Sequence, residues 1–145
     1  MAEIHLVVGC ALILCNAIAF AVGGIAWIRD QASIRFWYLL RVAQLTVFLQ
    51  ALLGGLLVFT GHEPDDSLHY LYGLLPLLVS FLAEGARAGA AEREVRDLDV
   101  EALPAEGRQQ VALAIVRREM GIMAVSCGVI LFLGLRAAGT SGALF

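Results

Sequence analysis

The sequence predicts an all-α integral membrane protein, a bundle of four transmembrane helices with a cytoplasmic helical hairpin that extends the third and fourth helices. Hydrophobic residues make up 60% of the 145 residues, whereas soluble domains contain about 45–50%. The mean hydropathy is +0.82. Four apolar runs approach or exceed the length of about 20 residues that a helix needs to cross a bilayer core. We therefore expect one membrane domain over 1–145.

The four apolar runs differ in length, and this difference predicts where helices leave the membrane. The predicted spans are about 4–28, 36–59, 68–83 and 120–135. The last two are short for a membrane crossing. Both continue into alanine- and charge-rich sequence, which favours helix. Residues 84–119 are therefore predicted to form a helical hairpin outside the bilayer.

The arginines predict the direction of the spans. All ten basic residues are arginine, and nine of them flank the first and third connections. Only Arg136 lies on the other side. By the positive-inside rule, both termini and the 60–67 loop are extracytoplasmic, and the protein is a multi-pass protein of a bacterial cytoplasmic membrane. Because its positive flank follows the apolar run, we expect the first span to be an anchor rather than a cleaved signal peptide.

Two histidines repeat one spacing, with His5 followed by Gly9 and His69 followed by Gly73. Residues four apart lie on one face of a helix. Each helix would then present an imidazole next to an empty notch, and both helices run from outside to inside. Neutral imidazole binds metals, and glycine leaves room for a flat ring. The pattern predicts one b-type heme held by two axial histidines near the outer face. The other interpretation is a pair of interfacial histidines that bond to headgroups or water.

Two further polar residues are candidates for the same site. Gln50 lies in the second span, where a polar side chain is expected to face the bundle. It can lie at the cofactor edge or simply bond to a neighbouring helix. Arg136 can pair with a heme propionate or serve as an interfacial anchor.

Part of the chain resembles heme A synthase over roughly the first 80 residues. The similar segments are the run 45–59 followed by a short outer loop and Leu68-His69, and the first span, which opens Glu3-Ile4-His5 and ends Trp27-Ile28-Arg29. The resemblance implies that His69 and His5 correspond to the two heme-ligating histidines of a half-bundle. The family's cysteine-bearing loop and its second half have no counterpart here. The resemblance thus supports heme binding and argues against synthase chemistry.

Two other functions remain open from the sequence. One is a cofactor-free accessory or assembly subunit that binds a larger membrane complex or a second copy of itself. The other is an outer-face metal site formed by His5, His62 and His69 with Glu63 or Asp66, since imidazoles suit copper or zinc.

Several other functions lack support in the sequence. The net charge of −3 does not indicate nucleic-acid binding. No phosphate loop, Ser-His-Asp arrangement or zinc-protease motif is present, so we do not expect an enzyme. Cys10, Cys15 and Cys127 lie in apolar runs and are predicted to be free thiols.

Overall fold

Four long helices account for nearly all of the structure, a computed structural model that describes residues 1–62 and 66–140. The helices are α1 Ala2–Ile28, α2 Ile34–Phe59, α3 Leu68–Val95 and α4 Ala105–Thr140. Each is long and apolar enough to cross a membrane. This confirms the all-α fold with four candidate membrane spans.

The helix boundaries follow the predicted runs, and α3 and α4 both continue well beyond their apolar parts. The extensions are connected through residues 96–104, and Arg118 of α4 pairs with Glu94 of α3. Local capping explains where two of the helices begin. The hydroxyl of Ser33 accepts a hydrogen bond from the backbone N–H of Phe36 at 3.3 Å, and a carboxylate oxygen of Asp66 accepts one from Leu68 at 2.9 Å. Such side-chain acceptors satisfy backbone N–H groups that the first helical turn leaves unpaired.

The helices form a ring in chain order, so α1 and α3 lie diagonally opposite. α4 packs closely against α1 and α3, and α1 packs against α2. Within the described residues, no Cα atom of α1 comes within 8 Å of one in α3.

Glycines let aromatic side chains of α1 approach α4. A methyl group added at Gly121 would lie 2.7 Å from the Trp27 indole, and one at Gly128 would lie 3.0 Å from the Phe20 ring.

The core occupies only part of the bundle. Its largest fully buried side chains are Phe36, Leu40, Met120, Met123, Asn16 and Cys127. A second apolar cluster, formed by Leu12, Val47 and Ile130, lies further along the bundle. Beyond this cluster no described residue is buried in the stretches 2–11, 48–59, 68–75 and 131–140. We call this part of the bundle the histidine end, because His5 and His69 lie in it.

The histidine end differs from the opposite end, which is packed almost to the helix termini. Ala26 and Phe36 are buried, and each is the third residue from the end of its helix. At the histidine end, ten residues of α1 precede the first buried side chain. At 1.5 Å per residue, this is about 15 Å of helix without a buried residue.

The end of the bundle opposite the histidines, which we call the arginine end, is held together by ion pairs. Glu84 of α3 accepts hydrogen bonds from Arg41 at 2.6 Å, from Gln44 at 2.8 Å and from Arg87 at 2.8 Å. Arg87 also approaches Glu119 of α4 at 3.5 Å. The network joins α2, α3 and α4, so arginines that the sequence analysis used only for direction also link the helices.

Replacing Glu84 with glutamine is expected to lower the free energy of unfolding by about 1 kcal/mol, because the amide keeps an acceptor but loses the charge that pairs with two arginines. Thermal unfolding in detergent measures this, with the exposed Glu92→Gln on the same helix as the control. Equal stability of the two variants would show that the network does not stabilise the bundle.

Candidate cofactor site

The two candidate ligands, His5 and His69, lie side by side although their helices are diagonal. Their ring centroids are 6.2 Å apart and their planes are inclined by 61°. Imidazole nitrogens bind metals at about 2 Å, so two imidazoles on opposite sides of one metal have centroids roughly 6 Å apart. The structure therefore brings the two predicted ligands close together, and the distance between their ring centroids is compatible with one shared metal.

A backbone carbonyl orients His69. Its Nδ1 lies 3.0 Å from the carbonyl oxygen of Ala137 in α4. A carbonyl can only accept a hydrogen bond, so Nδ1 carries the proton and donates it, and in the neutral ring Nε2 keeps its lone pair. A ring nitrogen held in this way fixes the tautomer and orientation that metal-binding histidines need.

A glutamine amide holds His5. Nε2 of His5 lies 3.1 Å from Nε2 of Gln50 in α2. Nδ1 of His5 and Oε1 of Gln50 are buried and have no hydrogen-bond partner among the described residues. Turning the Gln50 amide over exchanges its oxygen and nitrogen but still leaves a polar atom of each side chain unpaired. A buried unpaired polar group costs about 1–3 kcal/mol, so a further group here would stabilise the protein.

The glycines around the histidines differ in the space beside them. A methyl group at Gly9 would lie 3.0 Å from Nε2 of Gln50, so Gln50 occupies the notch that was expected to be empty. The notch at Gly73 is open, with nothing within 4 Å. Gly54 lies against His5, since its methyl group would be 3.3 Å from Cε1 of the ring. The four-residue interval between Gln50 and Gly54 is the signal that could have identified Gly54.

Arg136 lies at the rim of the site. Its guanidinium carbon is 5.6 Å from the centroid of the Tyr72 ring, a cation–π contact. Tyr72 follows His69 by one helical turn, and Arg136 precedes Ala137, which bonds to His69. Arg136 is exposed. Tyr72 was not identified from the sequence, although its spacing from His69 places it on a neighbouring face.

The described residues do not assemble the alternative metal site. His62 is exposed after the end of α2, with Nδ1 at 3.3 Å from the hydroxyl of Thr60. Asp66 caps α3, and Glu63 lies outside the described residues. Among the residues that the structure describes, no group of three or more His, Cys, Asp or Glu side chains is placed to hold a metal ion.

The arrangement as a whole offers two imidazoles, an amide and a guanidinium at the histidine end of an apolar bundle. Such a set can hold a planar metal-containing cofactor by its metal, its edge and its acidic substituents. Comparison with protein-family models, with curated proteins and with solved structures gives no match for this chain.

Proposed function

We propose that the protein is a small membrane cytochrome that holds one b-type heme between His5 and His69. The observation that carries the proposal is the 6.2 Å separation of the two imidazoles, across helices whose backbones stay apart. Heme, when bound, supplies a one-electron iron couple. Because two histidines would fill both axial positions, the site favours electron transfer or redox sensing over chemistry at the iron.

The burial pattern of the bundle also supports this proposal. The core ends at Leu12, Val47 and Ile130, and no described residue beyond this level is buried. This end of the bundle, about 15 Å long, contains unpaired buried polar atoms of His5 and Gln50, to which a bound cofactor would offer partners. The resemblance to heme A synthase is consistent with the same assignment.

Each candidate residue has a role in this proposal. His69 would be the pre-oriented ligand, because its bond through Nδ1 to the Ala137 carbonyl leaves Nε2 to bind the iron. His5 would be the second ligand; its Nε2 would have to leave Gln50, and the Gln50 amide would then move to the cofactor edge, which frees the space at Gly9. Gly73 leaves room for the ring. Arg136 pairs with an acidic substituent.

Titration of the purified apoprotein with ferric protoporphyrin IX tests the proposal. We expect saturation at one heme per chain with a low-spin ferric EPR signal, and loss of that signal when both His5 and His69 are alanine. His62→Ala is the matched control and should titrate like the wild type. If His62 were required, the metal site would be favoured. A colourless protein that co-purifies with a stoichiometric partner would favour the accessory subunit.

We also propose that the arginine end and the 84–119 hairpin face the cytoplasm of a bacterium and that both termini are outside. The nine-to-one distribution of arginines supports this orientation,. A green fluorescent protein inserted at residue 100 should fluoresce, and alkaline phosphatase fused after Thr140 should be active. The opposite pair of results would reverse the orientation.

A further inference from the structure

One face of α2 stays exposed along most of the helix, and we call it the open face. Its residues recur at alternating intervals of four and three, the spacing that keeps side chains on one side of a helix. They are Ile34, Tyr38, Arg41, Leu45, Phe48 and Leu52. All six are exposed, and no proline interrupts the helix. The open face is therefore polar at Tyr38 and Arg41, near the arginine end, and apolar from Leu45 onward.

The polar part of the open face borders a surface groove. The groove is lined by Ile34, Trp37, Tyr38 and Arg41. Trp and Tyr side chains favour the level of the lipid headgroups. Arg41 lies about 8 Å along the helix from residue 36, where the predicted apolar span begins,. In a membrane the groove would thus lie where headgroups meet acyl chains.

The guanidinium of Arg41 is held on one side and open on the other. Its Nη1 donates to carboxylate Oε1 of Glu84 and to amide Oε1 of Gln44, both at 2.6 Å. Its Nε and Nη2 have no hydrogen-bond partner among the described residues, and the side chain is 56% exposed. Two parallel N–H groups on one edge of a guanidinium match two oxygens of a phosphate. Glu84 and Gln44 therefore fix Arg41 in place and leave this edge free for an anion.

Positive charge exceeds negative charge around the groove. Arg29 and Arg35 form no ion pair among the described residues. Asp30, the one acidic residue in the stretch 29–41, pairs with Arg117 at 2.6 Å. Glu84 is shared between two arginines. The surroundings of the groove therefore favour a ligand with a net negative charge.

We infer that the groove binds the phosphate of an anionic phospholipid through the Nε and Nη2 edge of Arg41, with an acyl chain along the apolar part of the open face. This inference goes beyond the proposed function and does not depend on heme. A phospholipid matches both parts of the face, whereas free phosphate matches only the groove. A second copy packed symmetrically through this face would bring two Arg41 side chains together, which like charges disfavour.

Quenching of Trp37 fluorescence by brominated lipids tests the inference. Trp27→Phe leaves Trp37 as the only tryptophan, and bromine atoms near the headgroup end of an acyl chain quench it only at short range. The protein is placed in phosphatidylcholine bilayers with increasing fractions of brominated phosphatidylglycerol or brominated phosphatidylcholine. We expect half-maximal quenching at an about fivefold lower fraction of the phosphatidylglycerol, the factor that one arginine near a membrane surface contributes.

Two variants assign this preference to Arg41. Arg41→Lys keeps a positive charge that can pair with Glu84 but lacks the edge with two donors, so most of the preference should disappear. Arg108→Gln is the matched control, because Arg108 is also exposed but lies in the hairpin, and it should keep the fivefold preference.

Several results would overturn the inference. One is equal quenching by the two lipids, and another is an unchanged preference in Arg41→Lys. A third is a Trp37 that neither lipid quenches because a second copy covers the open face. Inorganic phosphate added at constant ionic strength should leave the preference unchanged, and its loss would make a free anion the ligand. Since heme takes no part in these measurements, their outcome is separate from that of the proposed function.

Discussion

Replacing His69 with alanine is expected to abolish the low-spin heme signal and to weaken heme binding by at least about 100-fold. Mutation of a residue that only hydrogen-bonds to a metal ligand weakens metal binding by up to about 100-fold, and loss of the ligand itself should cost at least as much. His69 is the ligand that the fold prepares, because the Ala137 carbonyl fixes its tautomer. Its loss therefore removes a fully oriented ligand.

His5→Ala is expected to weaken heme binding less, by about tenfold, and to leave a five-coordinate, high-spin iron. Nε2 of His5 must give up its contact with Gln50 before it can bind the iron. Loss of that contact offsets part of the free energy that His5 contributes to heme binding in the wild type. Absorption and EPR spectra of both variants measure the difference. Added imidazole should restore the low-spin signal of His5→Ala more readily than that of His69→Ala. Equal losses, or a signal that survives His69→Ala, would contradict the assigned ligand roles.

Gly23→Ala is expected to destabilise the bundle by about 1–3 kcal/mol, the usual range for overpacking a core. The added methyl group would lie 2.5 Å from Cδ2 of Phe36 and 3.1 Å from Cβ of Ala124. Phe36 is fully buried, so its ring cannot move aside without disturbing α2.

The next residue supplies a matched control for this stability prediction. Gly24 has no atom beyond its own helix within 4 Å of an added methyl group, so Gly24→Ala should be neutral or slightly stabilising through its helix propensity. Thermal unfolding of the two variants in the same detergent measures the difference. If Gly24→Ala proved as destabilising as Gly23→Ala, the packing of α1 against α2 and α4 would differ from that described.

The positions of the four helices could be predicted from the sequence because they depend almost entirely on the hydropathy and length of the apolar runs. A run such as 36–59 must be helical inside a bilayer to satisfy its backbone hydrogen bonds. The meeting of His5 and His69 also followed from the sequence, since both lie near the first turn of helices that were predicted to run in the same direction.

The details of the site could not be read in this way because they depend on contacts between helices. The acceptor for His69 is a main-chain carbonyl. Every residue has such a group, so the sequence does not indicate which one His69 contacts. Periodicity placed Gly9 beside His5 but could not show that Gln50 of another helix fills the space. Arg87, which follows the third span, was used in the sequence analysis only to predict the direction of the helices. In the structure it also bonds to Glu84 and approaches Glu119.

The most direct test of the central claim is a reduced-minus-oxidised absorption spectrum of the wild-type protein, purified from membranes of cells that make heme. We expect a sharp α band of b-type heme, with one heme extracted per chain. A colourless protein, or one whose porphyrin is lost on purification while its helical bundle stays intact, would contradict the assignment of His5 and His69 as heme ligands.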